Sequence, residues 1–245
     1  MPDWYPQNKE ELSKLLESFL SHKPNIKRKQ ISIAGIIVPH AGYAYSGEIA
    51  AEAYSLLKNQ DNKNKIAIII SPSHYINIQG IATHNQQTWT TSLGTINIKN
   101  KLNLKKMNIS QEHAIDNQIP FLQKLGFKEI LPLLVGELTI LDAENIAKKL
   151  SKFEDYIFIF STDLSHFLPY EQAKLKDSQT IDAITKLNSD KLIKIENCAC
   201  GIFPLLILIE LCKLKNWQPK LINYKNSGDI TGDKDSVVGY ASMIF

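Results

Sequence analysis

The chain has 245 residues, 44% of them hydrophobic, and a net charge of +3, so a single α/β domain with a substantial core is expected over 1–245, an N-terminal helix and loop (1–30) preceding the core (31–245). Its lysines are interspersed with acidic residues apart from a short basic stretch at Lys23–Lys29, which excludes the basic face or aromatic-interleaved basic motif of a nucleic-acid binder. No apolar run reaches the roughly 18 residues of a membrane span, Met1–Glu10 is polar and unlike a signal peptide, and the odd set Cys198, Cys200 and Cys212 is no disulfide framework, so a cytoplasmic protein with reduced thiols and no membrane partner is expected.

Leu12, Leu15, Leu16 and Phe19 fall at helical spacing and predict a helix near 8–22, with Lys23–Lys29 a loop before the first strand, Ile33–Val38. Gly42 and Gly47 bracket a turn, and Ile49, Ala50, Ala53, Tyr54 and Leu57 form the stripe of the next helix. Lys65–Ser71 reads as a second strand, and Gly80–Ile98 alternates with Gly and Thr as a β-excursion. A helix over Glu112–Leu125, a strand over Ile130–Val135, a helix over Leu141–Phe153 and a strand over Tyr156–Phe160 follow. Helices over 171–187, 189–196 and 203–215 precede two closing strands near 220–225 and 236–244, which flank a Gly/Asp-rich loop. Strands alternating with helices predict a mostly parallel central sheet covered on both faces.

Three apolar runs end in short turns that carry a histidine: Ile33–Val38 into Pro39-His40, Ile66–Ile70 into Ser71-Pro72-Ser73-His74, and Tyr156–Phe160 into Ser161–His166. As parallel strands of one sheet they would bring His40, His74 and His166 to its carboxyl edge, where open α/β folds hold ligands. One such histidine alone is as well explained by a hydrogen-bonded loop; the recurrence points to a metal or proton-transfer site. Asp163 and His166 are three apart, so on a first helical turn after the strand they would share a face. There the carboxylate would orient the imidazole for acid/base work, against the plainer reading of a helix cap beside a surface histidine. His113, beside Glu112 and near Asp116, could line the same cleft.

Cys200 precedes Gly201 and the apolar helix from Phe203, and a thiol at a helix N-terminus is favoured as thiolate, ligand or nucleophile. Cys198 competes for that role, and Cys-x-Cys is not the usual zinc spacing. Cys212 reads as packing, and His22 and His84 as structural or exposed. A phosphate loop, a dinucleotide fingerprint and a serine-nucleophile elbow are all absent from the sequence.

The blocks Pro39–Gly47, Ser71–His74, Thr91–Gly94, Glu112–Leu122, Leu133–Gly136, Ser161–His166, Cys200-Gly201 and Val237–Tyr240 together resemble the MEMO family, whose bacterial and archaeal members are labelled AmmeMemoRadiSam system protein B. The resemblance covers roughly 34–245. It implies an α/β fold similar to the class III extradiol dioxygenases, which hold non-haem Fe(II) at the carboxyl edge of the sheet. Carried over by position, it makes His40 and His74 metal ligands, puts Cys200 where the dioxygenases have a glutamate, and makes Asp163 and His166 the neighbouring pair, with His166 the acid/base. The chain departs from the family pattern at Ala114, Asp116 and Gln118, where relatives carry Ser, Glu and an apolar residue, and at Ser92, which replaces a proline.

The function this implies is a mononuclear Fe(II) site of two histidines and one cysteine with a redox or oxygen-linked role; the softer thiolate also suits Zn or Cu(I). The alternative is a non-catalytic peptide- or protein-binding module using a vestigial dioxygenase cleft. Zinc-dependent hydrolysis with His166 as proton shuttle is a third reading. The resemblance further implies a small molecule or peptide in the cleft, and a radical SAM protein and an AMMECR-type protein as partners. The excursion over 80–98 and the loop over 226–235 are expected to shape the mouth of the pocket.

Overall fold

The computed structural model describes residues 4–22, 33–58, 60–100 and 102–245; the loop expected at Lys23–Lys29 lies outside them. In chain order the elements are α1 (Lys9–Ser21), β1 (Gly35–Val38), α2 (Tyr43–Leu56), β2 (Ile66–Pro72), β3 (Ile81–His84), β4 (Thr88–Thr91), β5 (Gly94–Ile98) and β6 (Lys105–Met107). They continue with α3 (His113–Asp116), α4 (Ile119–Lys124), β7 (Glu129–Val135), α5 (Ile140–Leu150), β8 (Tyr156–Ser161) and β9 (His166–Leu168). The last are α6 (Tyr170–Thr185), α7 (Ser189–Leu192), α8 (Ile202–Lys215), β10 (Lys220–Asn226), α9 (Ser227–Thr231) and β11 (Val237–Ile244).

The sheet runs β10-β11-β1-β8-β2-β7-β3-β6. Its centre, β1, β8, β2 and β7, is parallel as expected, while β3, β10 and β11 join antiparallel at the margins. Side chains alternate across the strands, and the alternation sorts the core into two layers. Ala67 and Ile69 of β2 face the layer under α1, α2 and α4, whereas Ile66, Ile68 and Ile70 face the one under α5 and α8. Both sides of β2 are therefore dry, which is why the strand reads as a continuous apolar run. Each fully buried isoleucine contributes about 1.5–3 kcal/mol of transfer free energy.

α8 is apolar around nearly its whole circumference, Leu205–Leu208 and Cys212 included, because the sheet lies on one side of it and α5 and α7 on others. Among the described residues no helix is long and apolar enough to cross a membrane.

The structure corrects three local expectations. The helix expected over Glu112–Leu125 is broken at Asn117-Gln118 into α3 and α4. Pro120 has no N–H to give to the carbonyl four residues back, which interrupts the helical ladder and suits it to the first turn of α4, and both amide side chains at the break turn inward to bond Pro39, His40 and Ser161. The chain after β8 is not a helical turn: it stays extended to His166, which opens β9 against β11. The Gly/Asp-rich segment before β11 contains a short helix, α9, opened by an Asn226–Asp229 capping box.

Candidate metal site

β1 and β2 end side by side but for β8 between them, and Pro39 and Pro72 lie at these ends, so His40 and His74 emerge at the same rim. Their ring centroids are 5.1 Å apart. The third member of the cluster is His113, whose ring lies 4.5 Å from that of His74 and 5.3 Å from that of His40. One ring nitrogen from each of His40, His74 and His113 lies within 4.8 Å of the others, a grouping that could hold a metal ion. Trp4 stacks flat against the outer face of His113, 4.3 Å between centroids.

His40 is enclosed, with 2% of its surface exposed. Its backbone N–H donates to Asp163 Oδ1 at 2.8 Å, and its Nδ1 lies 2.9 Å from Ser161 Oγ. The Ser161 hydroxyl donates to Ala114 O at 2.7 Å and accepts from Gln118 Nε2 at 3.0 Å. Its one proton is thus committed, so His40 Nδ1 must donate to it and Nε2 keeps a free lone pair. Burial, followed by the positive potential of His74, His113 and His166, holds the His40 imidazole well below its usual pKa, so it is neutral.

His74 is held by Glu112, buried at the N-cap of α3. One carboxylate oxygen takes the His74 backbone N–H at 2.8 Å and the other faces its Nδ1 at 2.7 Å. A carboxylate only accepts, so Nδ1 carries a proton, and in the neutral ring Nε2 is again the free donor. Burial pushes the Glu112 carboxyl up, but the His74 side-chain and backbone donors and Ala114 N–H outweigh it and leave the group below its usual value. For His113, burial and the neighbouring His74 push the pKa down to about 4 against the pull of Glu112. Its Nδ1 sits 3.0 Å from the Tyr75 hydroxyl.

Cys200 comes from the far side of the sheet edge, just ahead of α8, with its Sγ 3.2 Å from His40 Nε2. It is held there by Asp163 N–H, which donates to Sγ at 3.2 Å. Gly201 allows this approach: a Cβ there would meet the Thr162 side chain at 2.6 Å. Enclosure first, and then the Asp163 charge, push the thiol pKa up, so the helix terminus does not by itself yield a thiolate. A bound cation would reverse that balance. Cys198 points away, into the core toward Leu192 O, and burial pushes its thiol up to about 11.

Asp163 and His166 flank the cluster, but they do not bond each other directly as their spacing suggested. The Asp163 carboxylate serves the His40 backbone, and burial raises its pKa to about 6; His166 Nδ1 meets Leu164 O at 2.8 Å. His22 is exposed at the end of α1, and His84 packs on Trp89. A cavity of about 510 Å³ opens beside His74 and Cys200, bounded by 72–78, 135–137 and Phe203. Neither the excursion strands nor the 226–235 loop lines it.

Sequence reasoning did not single out Glu112, Ser161 or Gln118 as parts of the site. Glu112 was visible only as the residue before His113, and Gln118 only as a polar residue where the family resemblance implies an apolar one.

The profile of the Memo-like protein family matches residues 2–244. The chain belongs to this family. A MEMO1 family protein of Aquifex aeolicus is 32% identical over 266 residues, covering 99% of this chain and 96% of that protein. A MEMO1 family protein of Methanobrevibacter smithii is 34% identical over 275 residues, covering 99% and 96%. A third, from Thermoplasma acidophilum, is 33% identical over 260 residues, covering 98% and 95%. The Memo-like match spans both strand-end histidines, the His113 helix and Cys200 alike.

Proposed function

We propose that this Memo-like chain binds one metal ion, Fe(II) by preference, through His40 Nε2, His74 Nε2 and Cys200 Sγ, in a redox or oxygen-linked role. The observation that carries the reading is that both imidazoles have Nδ1 committed to an acceptor, Ser161 Oγ for one and Glu112 for the other, which leaves two Nε2 lone pairs beside a thiol. Two neutral imidazoles and one anion make a donor set suited to Fe(II), and thiolate softness extends it to Zn and Cu(I). A metal so held would supply Lewis acidity or an electron-transfer centre.

The protein's own residues do the rest. Glu112 and Ser161 fix the tautomers, Asp163 N–H steadies the sulfur, and His166 offers an imidazole nitrogen for proton handling at the rim. His113 is the competing third donor, since it shares the cluster with His40 and His74. The cytoplasm, as a reducing compartment, is the setting in which Cys200 would stay available, and its free thiol supports that assignment.

Metal analysis of protein purified anaerobically tests the reading: about one equivalent per chain is expected, and less than about a tenth would sink it. Cys200→Ser and His113→Ala compared by metal titration then decide the third donor. Loss with the first and retention with the second is expected.

A second reading, a non-catalytic module that binds a peptide or protein in the cleft, is favoured by the exposed aromatic residues Tyr45, Tyr75 and Phe167. Under that reading His40→Ala abolishes metal binding but spares partner binding.

A further inference from the structure

The strand-end segment that carries His166 is tied to a buried carboxylate for which metal binding has no use. Asp177, on α6, has no exposed surface. Its Oδ1 accepts the Ser165 backbone N–H at 2.9 Å and its Oδ2 accepts the Tyr224 hydroxyl at 2.7 Å. The Ser165 N–H and the Leu164 carbonyl are the two ends of one planar peptide unit. That carbonyl faces His166 Nδ1 at 2.8 Å. A carbonyl accepts and cannot donate, so His166 carries a proton on Nδ1, and in the neutral ring Nε2 is the lone pair.

Carboxylate, peptide and imidazole therefore form a continuous chain of hydrogen bonds. An anion drawing on a peptide N–H increases the negative charge on the same peptide's oxygen, which strengthens the bond that oxygen accepts. β11 clamps the arrangement from the other side: Leu164 N–H donates to Gly239 O at 2.8 Å, and Gly239 N–H donates to Ser165 O at 2.9 Å. A Cβ on Gly239 would lie 2.0 Å from Asp177 Oδ2. The strand can therefore pass so close to the carboxylate only with glycine at that position. Asp163, nearer to His166 in sequence, is occupied by the His40 backbone instead.

We propose that Asp177 is a positioning residue for His166, acting through the Leu164–Ser165 peptide to fix the Nδ1–H tautomer and leave Nε2 as proton acceptor. The use of that acceptor in chemistry rests on the functional reading above; the tautomer does not.

The test is ¹⁵N NMR of the histidine side chains in the uniformly ¹³C,¹⁵N-labelled, full-length, metal-free chain, with the His166 signals assigned by their loss in His166→Gln. In the wild type the Nδ1–H form is expected to dominate, with a scalar coupling across the Ser165 N–H to Asp177 bond. Asp177→Asn keeps an acceptor for Ser165 but removes the charge, and is expected to lower the ratio of Nδ1–H to Nε2–H by up to about twofold, since polarisation through the peptide changes the bond to Leu164 O by about 10–30%. Tyr224→Phe lowers Tm but leaves that ratio near wild type, which separates positioning from general stability. A wild-type His166 in the Nε2–H form, an absent coupling, or an unchanged ratio in Asp177→Asn overturns the proposal. Because no metal is added, a failed metal titration and a failed tautomer measurement are independent results.

Discussion

His40 and His74 end parallel strands of the same sheet, yet the protein supports them in opposite ways. His40 is 2% exposed and leans on a neutral network of Ser161, Gln118 and Ala114 O, drawn from β8 and the break between α3 and α4. His74, with a quarter of its side chain exposed, leans on a single carboxylate that grips both its ring and its backbone. The buried imidazole would be costly to charge and is kept neutral by its surroundings. The exposed one needs an anion to fix its tautomer where water competes for the ring. One rim thus carries a rigid donor and a charge-supported donor.

The sharpest way to break this contrast is Glu112→Gln. An amide accepts on one side only, so its NH₂ would face the His74 backbone N–H. Metal affinity measured by competition titration is expected to fall about 10–100-fold, as for other supporting carboxylates; an unchanged affinity would mean that His74 needs no anion. On the other arm, Ser161→Ala leaves His40 Nδ1–H and the Gln118 amide without their acceptor in a dry site. It is expected to destabilise the protein by about 1–3 kcal/mol in denaturant unfolding, with a smaller loss of metal affinity than Glu112→Gln.

Proton linkage probes the same difference without mutation. His40 and His113 both have folded pKa values below the unfolded value of 6.5, His113 at about 4. In that window the unfolded chain binds protons that the folded chain refuses. The metal-free protein is therefore expected to lose stability as pH falls from about 6.5 toward 4, by about 1.4 kcal/mol per pH unit for each proton. Asp163, raised to about 6, works in the opposite direction: below that pH the folded state gains its proton first, offsetting one of the two. Unfolding curves that are flat between pH 6.5 and 5 would contradict the neutral His40.

The smallest effect on metal affinity is expected from Gln118→Leu, which puts an apolar side chain at the break between α3 and α4. It removes the two bonds that the amide donates and leaves Pro39 O and the buried Tyr54 hydroxyl without their partner, for about 1–3 kcal/mol of stability in denaturant unfolding. A larger loss would make Gln118, rather than Ser161, the main support of His40.

Much of the architecture was legible because it rests on local pattern. The β-excursion over 80–98, the parallel central strands and the apolar α8 follow from period and composition, and the structure contains all of them. The break at Asn117-Gln118 was not legible, since it depends on polar partners more than 40 residues away in sequence. The extended path from Ser161 to His166 was missed for the same reason: β11 supplies its backbone partners through Gly239.

The sequence by itself determined where the donors stand. A strand of fixed period ending at Pro39 or Pro72 delivers its histidine to the carboxyl edge, whatever else the chain does. Tertiary structure decided what state those donors are in. Glu112, Ser161 and Asp177 are each remote from, or unremarkable beside, the imidazole they govern, and they reach it only when separate elements pack. Tautomer, charge and solvation depend on atoms within a few ångströms, and in this fold those atoms come from segments that the linear order keeps apart.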